Sequence, residues 1–375
     1  MKIKIIAIFL AVFLVLSYCL FVFSPIPGLR QLRDSYIQTA MSTLSHQWLA
    51  TAFLPKAIVE EVMRQVDQAR QEQLGSTSTW ESAPTSPCQA DSEEAFYQLF
   101  PQLDRESFDQ YLRLHPELLS NGWGKLYVNQ SGLKENGLPL YTTAGDQVLA
   151  IDAENAVLLL RVRGALFQGV LAICGDPSRL SLVPAPDGAN LIGDIAASAG
   201  GVLAITASGF EERADTLVGW AVYDGVLREG KQAPWHKRAE LRGDCRLYIT
   251  DALTPLAEDT RYAMEFSPAL LIDGQSQITD DSDFSAIHPR VCLGQDESGR
   301  VLMLAIQGRS LESIGATASD CVSILSRYGC RQAMSMDGGN SAMLYYRGQY
   351  LLEGASSAFP LGRETVNAWV YGTAN

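Results

Sequence analysis

Between residues 126 and 371 the chain is cut into short apolar runs by Gly, Asp, Asn and Pro, and this punctuation limits the fold more than any other feature. Runs at 126–128, 148–151, 157–163, 169–173 and 180–183 have the length and spacing of successive strands. The pattern resumes at 202–205, 217–223, 246–249, 269–272, 291–295, 301–306, 343–346 and 365–371. Residues 194–199 and 319–328 carry helical spacing instead. Many short strands with few helices predict an α+β fold, a sheet-rich domain of mixed or antiparallel strands. The sequence argues against a parallel nucleotide-binding sheet, because no Gly-x-Gly-x-x-Gly follows a strand.

One stretch abandons the apolar pattern for small polar groups: Ser335-Met336-Asp337-Gly338-Gly339-Asn340-Ser341. It lies between a predicted helix over 318–325 and a predicted strand over 342–346. Adjacent glycines permit positive φ and close approach to the backbone, while Asp337, Asn340 and Ser341 supply a carboxylate, an amide and a hydroxyl. In isolation an Asp-Gly-Gly run reads as a tight turn joining two strands.

Other short segments accompany it in a fixed order. They are Asp176-Pro177-Ser178-Arg179, Ala204-Ile205-Thr206-Ala207-Ser208-Gly209-Phe210, Arg261-Tyr262-Ala263-Met264-Glu265-Phe266-Ser267-Pro268, His288-Pro289-Arg290-Val291-Cys292-Leu293-Gly294-Gln295, Gln307-Gly308-Arg309 and Gly362-Arg363. With the Asp-Gly-Gly run, this set resembles the phosphodiester glycosidase family over roughly 142–375. The resemblance implies a sheet-rich α+β fold and hydrolysis of a glycosyl phosphodiester. Thr206 stands where that family usually carries asparagine, and Asn340 where glycine or serine is commoner.

At the other end of the chain, Met1-Lys2-Ile3-Lys4 precede an uncharged apolar run over 5–23, about the 20 residues needed to cross a bilayer as a helix. The lysines favour a cytoplasmic N-terminus. They predict a single-pass signal anchor over 1–24 in the cell membrane, with the C-terminal domain extracytoplasmic. No small-x-small cleavage site follows the run, and Tyr18 is too bulky before Cys19 for a lipoprotein signal. Residues 25–74 read as a helical stalk, divided at Pro55, with Ile58, Val59, Val62, Met63 and Val66 on one face. His46 and Trp48 read as packing or membrane-edge residues. A Ser/Thr/Pro-rich flexible linker is expected over 75–92.

Over 93–140 a small helical and connecting region follows. Asp91-Ser92-Glu93-Glu94 cap a helix through Phe100, and a second helix over 105–114 ends before Pro116, leaving His115 at the surface. The phosphodiester glycosidase-like domain occupies 141–375.

Net charge is -13, from 29 Lys+Arg against 42 Asp+Glu. Such a surface repels phosphate backbones, which argues against nucleic acid as a partner. A phosphate-bearing or polysaccharide substrate must then be met by locally placed arginines. Among the seven cysteines no Cys-x-x-Cys spacing occurs, and Cys174, Cys292, Cys321 and Cys330 sit in apolar surroundings as buried thiols do. Neither cofactor nor metal is expected: Asp273-Gly274 and Asp280-Asp281-Ser282-Asp283 lack the spacing of a calcium loop.

Cleaving a sugar from a phosphodiester expels a phosphate monoester that is already stable as an anion. A cationic cradle and a carboxylate near the anomeric centre therefore matter more than an acid that protonates the leaving group. Arginine suits the cradle because its planar fork pairs two phosphate oxygens. Arg290, Arg309 and Arg363 are the candidates, each beside a small or rigid residue. Asp337 is the first candidate carboxylate. Glu265 is the second, with pairing to Arg261 at helical spacing as its structural alternative. Thr206 and Ser208 are candidates for sugar hydroxyls, and Gly338, Gly339, Asn340 and Ser341 for the substrate-binding loop. His288 reads as a packing or rim residue rather than a general base. Three functions fit: an anchored hydrolase of glycosyl phosphodiesters in the cell envelope, a non-catalytic carbohydrate-binding module on the same scaffold, or an anchored structural protein.

Overall fold

A computed structural model describes residues 2–43, 46–80, 89–130, 137–211, 216–278 and 284–372. Cys88 and the acidic run 280–283 lie outside the described residues, as does the 81–88 part of the expected linker. The chain forms two compact units, one of residues 1–69, 278–287 and 317–319, the other of 70–277, 288–316 and 320–375.

In the first unit the chain runs through α1 (Lys2–Phe23), α2 (Pro27–Met41), the single turn α3 (Trp48–Thr51) and α4 (Lys56–Glu72). Pro27 opens α2 at a position where its missing N–H is no loss, and Pro55 sets the break before α4. Val22, Ile37, Ala40, Ala50, Leu54, Val59 and Val62 form the core of this unit. Gln38 Oε1 and Thr39 Oγ1 accept the backbone N–H groups of Ser285 and Ile287, tying the 284–287 segment to α2. Residues Lys4–Phe23 of α1 are long and apolar enough to cross a membrane.

In the second unit, α5 (Glu93–Leu99) and α6 (Arg105–Leu114) start where side-chain caps predict. Ser92 Oγ accepts from Ala95 N–H and Asp104 Oδ1 from Ser107 N–H, satisfying N-terminal donors that the helices cannot. Strands β1 (Tyr127–Asn129), β2 (Gln147–Asp152), β3 (Val157–Arg163) and β4 (Gln168–Cys174) form an antiparallel meander. Next come β5 (Leu180–Pro184), α7 (Ile192–Ser198), β6 (Gly201–Thr206) and a two-stranded ribbon, β7 (Phe210–Glu211) with β8 (Thr216–Leu217).

A five-stranded sheet then follows in one continuous segment. It comprises β9 (Ala221–Tyr223), β10 (Val226–Arg228), β11 (Lys237–Arg242), β12 (Leu247–Asp251) and β13 (Thr260–Phe266), in the order β10-β9-β13-β11-β12. The chain returns through β14 (Ala269–Ile272), β15 (Gln275–Ser276), β16 (Arg290–Asp296), β17 (Val301–Ile306), α8 (Ala318–Arg327) and β18 (Cys330–Met336). These strands complete a nine-stranded sheet in the order β1-β2-β3-β4-β17-β16-β18-β14-β15 among the described residues. The last strands, β19 (Leu344–Tyr346), β20 (Gln349–Tyr350) and β21 (Asn367–Gly372), join β5 and β6 as β20-β19-β6-β21-β5. Side chains from the three large sheets, among them Leu159, Val291, Met336, Leu241, Met264, Ile205 and Trp369, meet in one apolar core. The fold is α+β with antiparallel sheets.

Two segments depart from expectation for the same reason, polar side chains with partners inside the protein. Residues 75–80 are hydrogen-bonded within the second unit, to β12, rather than loose. Ser78 exchanges bonds with Ile249, Gly75 N–H reaches Asp251, and Trp80 Nε1 donates to Leu247 carbonyl. Strand β11 carries Lys237, Arg238 and Glu240 into full burial, which the charged sequence does not suggest. Lys237 Nζ is held by the carbonyls of Gln73 and Ser76 and by Asp251, so its charge is paired and its donors are used.

Trp369 is fully buried in the apolar core of the second unit. Trp369→Ala is expected to lower the unfolding free energy by about 3–5 kcal/mol, read from the shift of a chemical denaturation midpoint.

Candidate functional site

Strand register assembles the site. In the nine-stranded sheet Arg290 pairs with Ile306 and Val291 with Met336, so the start of β16 lies beside the ends of β17 and β18. The chain leaving β17 is Gln307-Gly308-Arg309, and the chain leaving β18 is the Asp337 run. In the other sheet Thr206 pairs with Ala368, which places the end of β6 beside the start of β21. Asp337 N–H donates to Ala207 carbonyl at 2.9 Å, joining the strand ends of the two sheets.

The glycines in the run have a steric reason. A Cβ on Gly338 would sit 2.5 Å from Pro289 carbonyl oxygen. Gly339 has φ +59 and gives its N–H to the same carbonyl at 3.0 Å. The chain then turns through a 3-10 segment, Gly339–Ser341, so the run is a turn between β18 and β19 as well as a cluster of polar groups.

Arg309 and Arg363 both bond to side chains of that turn. Arg309 Nη1 donates to Asn340 Oδ1 at 2.5 Å. Arg363 donates to Ser341 Oγ through Nε (3.1 Å) and Nη2 (2.9 Å), and its Nη2 lies 3.5 Å from Asp337 Oδ2. The Arg363 guanidinium also lies over the Phe210 ring, 4.8 Å from its centre. Partial burial, reinforced by the charge of Arg363, makes Arg309 a weaker base than an ordinary arginine. Asn340 orients Arg309 through a neutral oxygen and leaves its charge in place.

Arg290 opens β16, whose start lies beside the end of β18. Its Nε donates to Ala316 carbonyl at 3.0 Å, and its field, with that of Arg309, reaches His288. Burial first, then those two guanidiniums, push the His288 imidazole down to about 3. It is neutral at physiological pH, which fits a packing residue and not a base poised near neutrality.

Three expected site residues have internal partners. Glu265 lies on a strand, not a helix, so the Arg261 pairing expected from helical spacing does not occur: Arg261 pairs with Asp224. Glu265 Oε1 instead takes Arg238 Nη2 at 3.0 Å, and its Oε2 takes Trp220 N–H at 3.0 Å. Burial raises its carboxyl despite these donors. A cavity of about 250 Å³, lined by Trp220, Pro234, Leu253 and Pro255, lies against it. Thr206 and Ser208 are fully buried. The Thr206 hydroxyl donates to Ser341 carbonyl, and Ser208 Oγ accepts from Asn367 Nδ2. Both fix the site's backbone from behind.

Asn367 is the residue that sequence reading missed. Its Oδ1 takes Ser208 N–H, while its Nδ2 serves Ser208 Oγ and Tyr223 hydroxyl, all at 2.9 Å. The available signal was a lone amide in an otherwise apolar strand. Among the described residues no group of three or more His, Cys, Asp or Glu comes together to hold a metal.

Residues 195–371 match the profile of the phosphodiester glycosidase family. The SPbeta prophage-derived uncharacterized protein YomE of Bacillus subtilis (strain 168) is 31% identical over 161 residues, 40% of this chain and 25% of that protein. The chain thus spans about a quarter of the length of that curated relative. Among solved structures, the zebrafish N-acetylglucosamine-1-phosphodiester alpha-N-acetylglucosaminidase catalytic domain auto-inhibited by pro-peptide is 16% identical with a TM-score of 0.48. The match covers 68% of this chain and 90% of that one. A hypothetical protein from Synechocystis is 14% identical with a TM-score of 0.40, covering 57% of this chain and 61% of that one.

Gly338→Ala is expected to push the turn off Pro289 and to cost about 1–3 kcal/mol, read by chemical denaturation. A second expectation concerns pH. His288 and His236, the latter pushed down to about 4 by burial and then by Arg70, both resist protonation in the folded state. Unfolding lets them take up protons, so stability present above pH 6.5 drains as the pH falls towards about 4 and about 3. Replacing His288 with Asn is expected to reduce the slope of stability against pH by about 1.4 kcal/mol per pH unit across that window.

Proposed function

We propose that this chain, which carries a phosphodiester glycosidase domain over residues 195–371, is a membrane-anchored hydrolase that removes a sugar from a glycosyl phosphodiester. The observation that carries the reading is the meeting of Arg309, Arg363 and Asp337 on one turn at the strand ends of two sheets. A chain of net charge -13 gathers two guanidiniums there, and a third, Arg290, opens the neighbouring strand β16.

In this reading the phosphate lies across Arg309 and Arg363, which the amide of Asn340 and the hydroxyl of Ser341 hold in place. The anomeric C–O bond breaks, and the electron pair leaves with the phosphate monoester. The arginines stabilise that developing charge without having to protonate it. Asp337 faces the anomeric carbon, stabilises the positive charge growing there and takes the proton of the attacking water. Gly338 and Gly339 let the sugar approach the backbone. Glu265 belongs to the buried ion pair with Arg238 and takes no part in the chemistry.

Helix α1 serves as the anchor, with Lys2 and Lys4 on the cytoplasmic side and the catalytic unit outside, among the carbohydrates of the cell envelope.

The test is an assay of the full-length chain on a panel of sugar-1-phosphodiesters, measuring phosphate monoester released. Arg309→Ala is expected to lower kcat/KM by about 10²–10³, as loss of a charge-stabilising donor does, and Asp337→Asn by at least as much. Turnover by Asp337→Asn equal to wild type would remove that carboxylate from the mechanism.

A further inference from the structure

Each arginine of the proposed phosphate site stands at the foot of a loop with an apolar tip. Arg309 begins a tight loop in which its N–H donates to Ile314 carbonyl at 3.0 Å and Ser310 N–H to Ser313 carbonyl at 3.0 Å. Leu311 at its tip is fully exposed, and Ile314 is half-exposed. Ile314 N–H in turn donates to Leu166 carbonyl at 2.8 Å, bringing in another exposed apolar side chain. Arg363 ends a second loop, closed by Gly362 N–H to Phe359 carbonyl at 3.1 Å, on which Phe359 and Leu361 are exposed.

These are hydrogen-bonded turns, and turn positions are normally filled by Gly, Pro, Asn, Asp and Ser. Leu and Ile held in water on such turns give up burial that other positions would provide. Leu311 follows Arg309 and Leu361 precedes Arg363 by two positions, so each loop carries an exposed apolar side chain close in the chain to a guanidinium. That pattern complements an amphiphile with an anion at one end and hydrocarbon at the other.

We propose that the two loop tips receive the hydrocarbon of a lipid aglycone. The substrate is then a glycosyl phosphodiester whose phosphate also esterifies an alkyl or prenyl chain. This inference rests on the phosphate-binding part of the proposed function. The phosphate sits on Arg309 and Arg363 while the first carbons of the chain lie along Leu311, Ile314 and Leu361. Substrates of this kind reside in bilayers, and α1, long and apolar enough to span one, keeps the enzyme where they are.

The test uses the full-length chain in phosphatidylcholine nanodiscs and compares the binding of methyl phosphate and hexyl phosphate by calorimetry, with empty nanodiscs as the partition blank. Wild type is expected to bind hexyl phosphate at least about tenfold more tightly, since each buried methylene adds to affinity. The double variant Leu311→Ser/Leu361→Ser is expected to cut that preference to under about threefold while methyl phosphate binding stays within about twofold; this is the loss of buried hydrocarbon alone. Arg309→Ala should weaken both ligands.

Equal affinity of wild type for the two phosphates overturns the proposal. So does a double variant that loses both ligands alike, or one that keeps the full hexyl preference, which would place the hydrocarbon in the bilayer. A double variant that changes only self-association, without a hexyl preference in wild type, marks the tips as a contact between copies and also overturns it. Hexyl preference lost in the double variant, in a protein that hydrolyses no glycoside, would support the amphiphile site and sink the glycosidase reading. Binding of neither phosphate would sink both.

Discussion

The carbonyl of Pro289 is the point from which the candidate site is built. It accepts Gly339 N–H at 3.0 Å and stands where any side chain at position 338 would have to go. That contact presses the Asp337 turn onto the start of β16, while Asp337 N–H to Ala207 carbonyl ties the same turn to the end of β6. Main-chain bonds therefore fix Asp337 from two sheets before any side chain is considered. Asp337 and the arginines owe their meeting to this: the residues leaving β17 and β18 are neighbours by strand register, and Arg363 is drawn in by its own N–H to Asn340 carbonyl. Behind them Asn367, Ser208 and Thr206 use buried hydrogen bonds to hold the loop after β6.

Electrostatics follow from that packing. Burial, and then the charge of Arg363, weaken Arg309 as a base, and in the interior an anion opposite it is worth more than it is in bulk water. Neutral side chains position Arg309, so the site keeps a local positive field on a strongly acidic chain. His288, against the same arginines, stays uncharged and adds nothing to that field.

Much of the fold was legible because short apolar runs between turn residues can be little else. The bounds of β3, β14, β17 and α6 coincide with the segments read from sequence. What escaped were strands whose residues look polar. β11 reads Lys-Arg-Ala-Glu-Leu-Arg and β18 interleaves Arg, Gln and Ser with apolar residues, yet both lie inside sheets. Their charges are compensated by residues far along the chain, Gln73 and Glu265 among them, and no local pattern carries that information. The Asp337 run could be singled out because small polar residues and paired glycines are unusual between apolar elements. Whether Glu265, Thr206 and Ser208 faced a ligand or the interior could not be read, since a strand presents alternate residues to opposite faces. Asn367 lay in an apolar strand and gave only a faint signal.

The charges buried on β11 and β13 also bear on how this domain changes over time. Arg238 is shared between Glu240 and Glu265, and Glu240 in turn holds Arg242 and Thr250. Removing one member strands its partners in a medium that cannot solvate them, whereas replacing the set together with apolar residues need not be harmful. Lineages descending from such a protein face a valley at every single step out of this arrangement. The charged positions Arg238, Glu240, Arg242 and Glu265 should therefore drift as a block, preserved for long periods and then exchanged in concert.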